Sequence, residues 1–176
     1  MGVSLSKGGN VSLSKEAPGL TAVSVGLGWD TRSTTGVDFD LDASALAVDT
    51  AKRVLDDQHF VFYNNLKDPS GAVEHQGDNR TGEGDGDDEV IHVDLAATPP
   101  TITNIFFPVS IYDADNRKQN FGQVRNAFIR IVDRATGAEQ VLLQLAVKRL
   151  QLRGARLRRG KLLRGRVRLA RALRER

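Results

Sequence analysis

Apolar and polar residues alternate along much of the first 133 residues, which is the pattern of β-strands that bury one face. The runs with this alternation, or with β-branched and aromatic residues, are 23–29, 37–43, 59–65, 91–95, 102–115 and 128–133. Short loops rich in Gly, Asp and Asn separate them. We therefore predict about seven strands in an all-β, antiparallel β-sandwich, with a short helical segment at 119–127.

The run DFDLDASA at residues 38–45 places a carboxylate at every second position. In a strand, Asp38, Asp40 and Asp42 would share one face, with neighbouring side chains about 6.5–7 Å apart. Each carboxylate raises the pKa of the next unless a cation offsets the charge. These residues alone leave two interpretations open, a metal site or a solvated acidic edge.

A second acidic run, QGDNRTGEGDGDDEV at residues 76–90, mixes carboxylates with four glycines. Such a loop can present carboxylate and carbonyl oxygens inward, and Ca²⁺ prefers about six to eight oxygen ligands in irregular geometry. The run is not an EF-hand, because Arg80 stands where the third-position ligand is needed and Glu83 replaces the sixth-position Gly. A calcium site would have to combine separate segments.

Composition limits the chemistry of any site. The chain has 176 residues, enough for one domain and a tail, and no cysteine, which excludes thiolate metal sites and disulfides and favours hard cations. No run approaches the length of a membrane span and no apolar signal core follows Met1, so we expect a cytoplasmic protein without a transmembrane segment.

The net charge of +3 conceals an acidic body and a basic tail. Residues 148–176 hold 13 of the 25 Lys and Arg residues and one of the 22 acidic residues. The Leu- and Arg-rich sequence from 141 keeps no clean apolar helix face, so we expect an irregular or helical extension. Binding of nucleic acid or anionic membrane surfaces through this tail is an alternative function, without sequence-specific recognition of nucleic acid.

The chain resembles the TerD family of bacterial tellurium-resistance and stress proteins. The resemblance lies in VSLSKG (3–8), NVSLSK (10–15), VGLGWD (25–30), DFDLDASA (38–45), FVFYNN (60–65), GDNRTGEGDGDDEVI (77–91) and IYDADNRKQNFGQVRNAFIRIVD (111–133). These motifs occur in family order over most of residues 1–140. The resemblance implies a β-sandwich that binds calcium, generally two ions, without enzymatic activity, in tellurite resistance and general stress response. It also implies family stress-response proteins as partners.

When the family's ligand positions are carried over motif by motif, the resemblance implies a set of metal ligands larger than two ions can use. They are Asp30, Asp38, Asp40, Asp42, Asp78, Asn79, Thr81, Gly84, Asp85, Asp87, Asp88 and Glu89. The alternative from the residues themselves is a phosphohydrolase with two Mg²⁺ or Mn²⁺ ions, for which His59, His75 and His92 are possible bases.

The resemblance ends after Gln140, where family members continue with aromatic-rich strands and a short helix. We therefore divide the chain into a calcium-binding domain at 1–140 and a non-family tail at 141–176. Arg and Leu enrichment with loss of aromatic residues is typical of a GC-rich gene read in another frame. A frameshift is our hypothesis for the tail, and sequencing the locus tests it.

Overall fold

The computed structural model describes residues 2–33, 35–84 and 86–145. In chain order, the strands are β1 (Val3–Leu5), β2 (Ala22–Gly28), β3 (Leu41–Ala43), β4 (Ala45–Val48), β5 (Phe60–Val61), β6 (Val73–His75), β7 (Glu89–Asp94), β8 (Asn104–Phe106), β9 (Val109–Ile111), β10 (Phe128–Asp133) and β11 (Glu139–Gln144). Two single helical turns are α1 (Leu13–Glu16) and α2 (Ala114–Arg117), and 3-10 turns lie at Asp57–His59 and Phe121–Gln123.

Six strands form the larger sheet, in the order β1-β11-β10-β2-β7-β6. All of its pairs are antiparallel except β1 with β11, which is parallel. The smaller layer contains the pair β3-β9 and the three-stranded sheet β5-β4-β8. The all-β sandwich prediction is confirmed.

A single buried core joins the two layers. From β2 and β7 of the large sheet, Val25 and Ile91 point into it, and Leu41 and Val61 enter from the smaller sheets. Alternate residues of β7 are buried and half-buried, as expected for a strand that packs one face on a core. This packing holds β3 against the large sheet, where the acidic loop before β7 also ends.

The outer face of β2 is shaped by glycine. A Cβ on Gly26 would overlap the carboxyl group of Asp87, and a Cβ on Gly28 would overlap the Phe128 ring. These two glycines therefore let side chains from the acidic loop and β10 lie directly on the strand backbone.

Several predicted runs are shorter or divided in the structure. Only Leu41–Ala43 of the run 37–43 is a strand, because β9 pairs with those three residues alone. The run 102–115 is split into β8, β9 and α2, with Pro108, which has no amide hydrogen, between the strands. The predicted helical segment is a 3-10 turn that Asn120 caps through a hydrogen bond from the Gly122 amide.

The last described strand crosses the predicted domain boundary. β11 runs from Glu139 to Gln144 and pairs with both β1 and β10, so residues 141–144 belong to the large sheet. The rest of the predicted tail, from residue 146, lies outside the described residues. The boundary at residue 140 and the frameshift hypothesis therefore remain predictions.

Candidate metal centre

Two segments that are distant in sequence bring three carboxylates together. Asp40 directly precedes β3, Asp42 lies within it, and Asp78 comes from the glycine-rich acidic loop. One carboxylate oxygen of each residue lies within 4.8 Å of the other two. The backbone of β3 fixes the first two positions, since the Tyr112 amide donates to the Asp40 carbonyl and Asp42 is in register with Ser110 of β9.

The three carboxylates differ in burial. Asp40 and Asp42 are 4% and 8% exposed, whereas Asp78 is exposed. Burial, followed by the charges of Glu89, Asp40 and Asp78, raises the pKa of Asp42 to about 7, against a hydrogen bond with Ser110 that lowers it. Burial also raises the pKa of Asp40, although the Arg117 charge opposes this. The cluster therefore carries more negative charge than its surroundings stabilise.

Cationic and phenolic groups border this cluster. Nη1 of Arg117 lies 3.4 Å from Oδ2 of Asp40, and its guanidinium carbon lies 4.9 Å from the centre of the Tyr112 ring. The charge of Arg80 also lowers the pKa of Asp40. Tyr63 lies close enough that the carboxylates, after desolvation, raise the pKa of its phenol.

Glu89 is almost fully buried and lies behind the cluster. Its Oε2 accepts a 2.6 Å hydrogen bond from the Ala43 amide, and its Oε1 accepts one of 3.4 Å from the Asn79 amide. Nε2 of buried His75 lies 3.6 Å from the same Oε2. Both Glu89 oxygens thus bind backbone amides beside Asp42 and Asp78.

A second group of predicted ligands surrounds Trp29. Asp30, Asp88 and Gly84 line an open cavity of about 360 Å³ that Trp29 and Phe128 also border. The Trp29 amide donates to Oδ2 of Asp88 at 2.8 Å. Burial, offset by this bond and reinforced by neighbouring carboxylates, raises the pKa of Asp88.

The remaining predicted ligands have other contacts. Asp87 binds Nε of Arg130 at 2.7 Å on the outer face of the large sheet. Asp38 is exposed, and its carbonyl accepts a hydrogen bond from Gln119. Asn79 accepts from the Thr81 and Gly82 amides, and Thr81 accepts from the Glu83 amide, so both stabilise the loop.

Asp85 lies outside the described residues, so the structure does not describe its placement. The complete ligand set remains a prediction, of which Asp40, Asp42 and Asp78 are the members that the structure brings within 4.8 Å of one another.

Three contacts at the site were not predicted from the sequence. Arg117 reaches Asp40 only because β3 pairs with β9, and Tyr63 and the His75–Glu89 contact likewise depend on long-range packing. The nearness of His75 to the acidic loop in sequence was a signal that this residue could contact the site. For Arg117, no local spacing could have placed it beside a residue 77 positions away.

The three histidines make contacts other than with the carboxylate cluster. Nδ1 of His59 lies 2.7 Å from the Asp56 carboxylate, and Nδ1 of His92 lies 3.0 Å from the Ser24 hydroxyl. The buried His75 accepts a hydrogen bond from the Gly77 amide. None of these contacts places a histidine as a base over the cluster, so the geometry does not favour the phosphohydrolase alternative.

This fold and site define a class: a β-sandwich whose oxygen-only carboxylate cluster lies between a short strand and a glycine-rich loop. The family model described as the TerD domain matches residues 1–162. The chain belongs to the TerD family, whose relatives are named as tellurium-resistance and stress-response proteins.

Individual relatives agree with this assignment. A tellurium resistance protein TerD from an Alcaligenes species is 60% identical over 133 residues, covering 76% of this chain and 69% of that protein. General stress protein 16U of Bacillus subtilis (strain 168) is 50% identical over 147 residues, covering 83% and 76%.

Among solved structures, a homologue of telluride resistance protein (TerD) from Streptomyces coelicolor A3(2) matches with a TM-score of 0.56 and 24% identity, over 70% of this chain and 71% of that one. This likeness supports the fold. Within the described part of the chain, the helices are too short or too polar to cross a membrane.

Proposed function

We propose that this chain is a non-catalytic calcium-binding protein of the stress response, with Asp40, Asp42 and Asp78 as its central ligands. The observation that carries the proposal is the convergence of these three carboxylates from two segments, two of them buried. A pKa of about 7 at Asp42 marks negative charge that a bound cation would offset.

The chemistry of the donors fits calcium. All three side chains offer carboxylate oxygens, which hard cations prefer. The neighbouring loop is rich in glycine, which lets a backbone approach a ligand closely and offer carbonyl oxygens. Mg²⁺ requires near-ideal octahedral geometry and retains its water, so a site assembled from a strand and an irregular loop suits Ca²⁺ better.

Two ions per chain are part of the proposal. Six of the predicted ligands form two groups, the cluster of Asp40, Asp42 and Asp78 and the cavity lined by Asp30, Asp88 and Gly84. The raised pKa of Asp88, caused mainly by burial and partly by other carboxylates, indicates uncompensated charge in the second group as well.

The names of the relatives support a role in tellurite resistance or general stress response. Family stress-response proteins as partners and the cytoplasm as the location are further parts of the proposal. The chain contains no cysteine thiol with which to reduce the tellurite oxyanion. A calcium-dependent contribution is therefore a better proposal than direct chemistry on tellurium by this chain.

The alternative of nucleic-acid or membrane binding depends on residues 148–176, outside the described part, and steep salt dependence would test it.

Titration calorimetry and thermal unfolding of the metal-free full chain test the calcium proposal. At a calcium concentration 100 times Kd, binding to the folded state contributes about 2.7 kcal/mol, which raises Tm by roughly 5–10 °C. We expect a smaller rise with magnesium at the same concentration.

Asp40→Asn and Asp78→Asn should lose most of the calcium-dependent rise in Tm. Glu83→Gln is the control, since it removes an exposed carboxylate of the acidic loop that is not among the predicted ligands. If calcium leaves the melting curve of folded, metal-free protein unchanged, the proposal is wrong.

A further inference from the structure

One buried carboxylate holds both segments of the proposed metal centre. Glu89 is 1% exposed, and its two oxygens accept hydrogen bonds from the amides of Ala43 and Asn79. Ala43 directly follows Asp42, and Asn79 directly follows Asp78. Any displacement of the Glu89 side chain would therefore change the separation of these two carboxylates.

The imidazole of His75 contacts Glu89 and the backbone that precedes Asp78. His75 is 3% exposed, and its Nδ1 accepts a 3.1 Å hydrogen bond from the Gly77 amide, so the ring proton lies on Nε2. Nε2 faces Oε2 of Glu89 at 3.6 Å and has no hydrogen-bond partner among the described residues. Because Gly77 precedes Asp78, His75 contacts both Glu89 and the backbone beside the loop ligand.

We propose that His75 and Glu89 are positioning residues of the calcium site, which fix the separation of Asp42 and Asp78 without contacting the ion. This inference rests on the proposed function. The carboxylates repel one another, and both lie on short backbone segments, one a three-residue strand and the other a glycine-rich loop. The Glu89 hydrogen bonds tie these segments to the first residue of β7.

Groups that orient metal ligands in this way are costly to remove. Loss of such a partner typically lowers metal affinity by about 10- to 100-fold, although the partner does not touch the metal. Glu89 acts directly on the two segments, and His75 acts through Glu89 and Gly77.

Two substitutions at His75 separate its contact with Glu89 from its hydrogen bond with Gly77. In His75→Gln, the amide nitrogen reaches the region of Nε2 and can donate to Glu89, whereas His75→Asn replaces only the Nδ1 acceptor for the Gly77 amide. Calorimetric titration of the full chain should show calcium affinity lowered by about tenfold or more in His75→Asn. We expect His75→Gln to stay within about threefold of the wild type.

His92→Asn is the control, because His92 lies on the same sheet and contacts Ser24 instead of Glu89. It should keep the wild-type calcium affinity. Equal losses in His75→Gln and His75→Asn would overturn the inference, since a merely structural role predicts no difference between them. Unchanged affinity in His75→Asn would also overturn it.

A readout without metal distinguishes this inference from the proposed function. The Ala43 amide donates the 2.6 Å bond to Glu89, so its hydrogen exchange in metal-free protein reports the positioning contact. We expect exchange about tenfold faster in His75→Asn and nearly unchanged in His75→Gln. If this pattern holds but wild type does not bind calcium, the positioning contact is supported and the proposed function fails. If calcium binds but neither exchange nor affinity responds to His75, the inference fails.

Discussion

Replacement of Asp42 by Asn should stabilise the metal-free protein and weaken its response to calcium. The ordinary pKa of an Asp carboxyl is 3.8, and burial with neighbouring charges raises that of Asp42 to about 7. Folding therefore holds a proton on this group that the unfolded chain releases between these pH values. Ionised Asp42 destabilises the folded protein. This destabilisation is absent below the unfolded pKa, grows as pH rises towards 7 and is complete above 7.

The magnitude follows from the difference between the two pKa values. About three pKa units correspond to about 4 kcal/mol of unfolding free energy at pH 8. Burial of the amide N–H donors that Asn introduces at this position offsets about 2 kcal/mol of the gain. We expect Asp42→Asn to be about 2 kcal/mol more stable than wild type at pH 8, with a Tm about 4–8 °C higher.

Urea unfolding in a chelator at pH 4, 6 and 8 measures this effect. The advantage of Asp42→Asn should grow from pH 4 to pH 8, and calcium should then raise its Tm much less than that of wild type. Glu83→Gln, at an exposed position outside the predicted ligand set, should show neither change. If Asp42→Asn is destabilised equally at all three pH values, the assignment of buried, uncompensated charge to Asp42 is wrong.

Two further predictions concern the borders of the site. Arg117→Gln removes the cation 3.4 Å from Asp40, so calcium affinity at low salt should rise about fivefold, as calorimetry would show; equal or weaker binding would contradict a competing role for Arg117. Gly26→Ala places a Cβ in the space of the Asp87 carboxyl group and should cost about 1–3 kcal/mol in thermal unfolding. Adding Asp87→Ala should restore part of that loss, and no recovery would show that the overlap is not its cause.

The sequence predicted the parts of the fold in which one side of a strand packs on the core. In β2, Val23, Val25 and Leu27 are buried, and β7 alternates regularly, so periodicity located both strands. The predicted strand at 37–43 was too long, because the first residues of this run have no strand partner. Asp38 is therefore exposed, although it continues the alternation of Asp40 and Asp42.

The acidic loop shows why the site was predicted only in part. Asp87 and Asp88 are adjacent, yet one binds Arg130 and the other accepts from the Trp29 amide. Composition identified the loop as rich in oxygen donors, but backbone direction decides which donor faces which neighbour. The convergence of Asp78 with Asp40 depends on packing between layers, which local sequence does not encode.

The parallel pairing of β1 with β11 has a consequence for folding during synthesis. Val3 pairs with Val141, so the edge strand can join the large sheet only after more than 140 residues have been made. The central pair β2–β10 also joins distant parts of the chain, and such non-local pairing slows folding. The ribosome will therefore have released most of this domain before the sheet closes, and the unpaired edges of β2 and β10 need protection from aggregation during that interval.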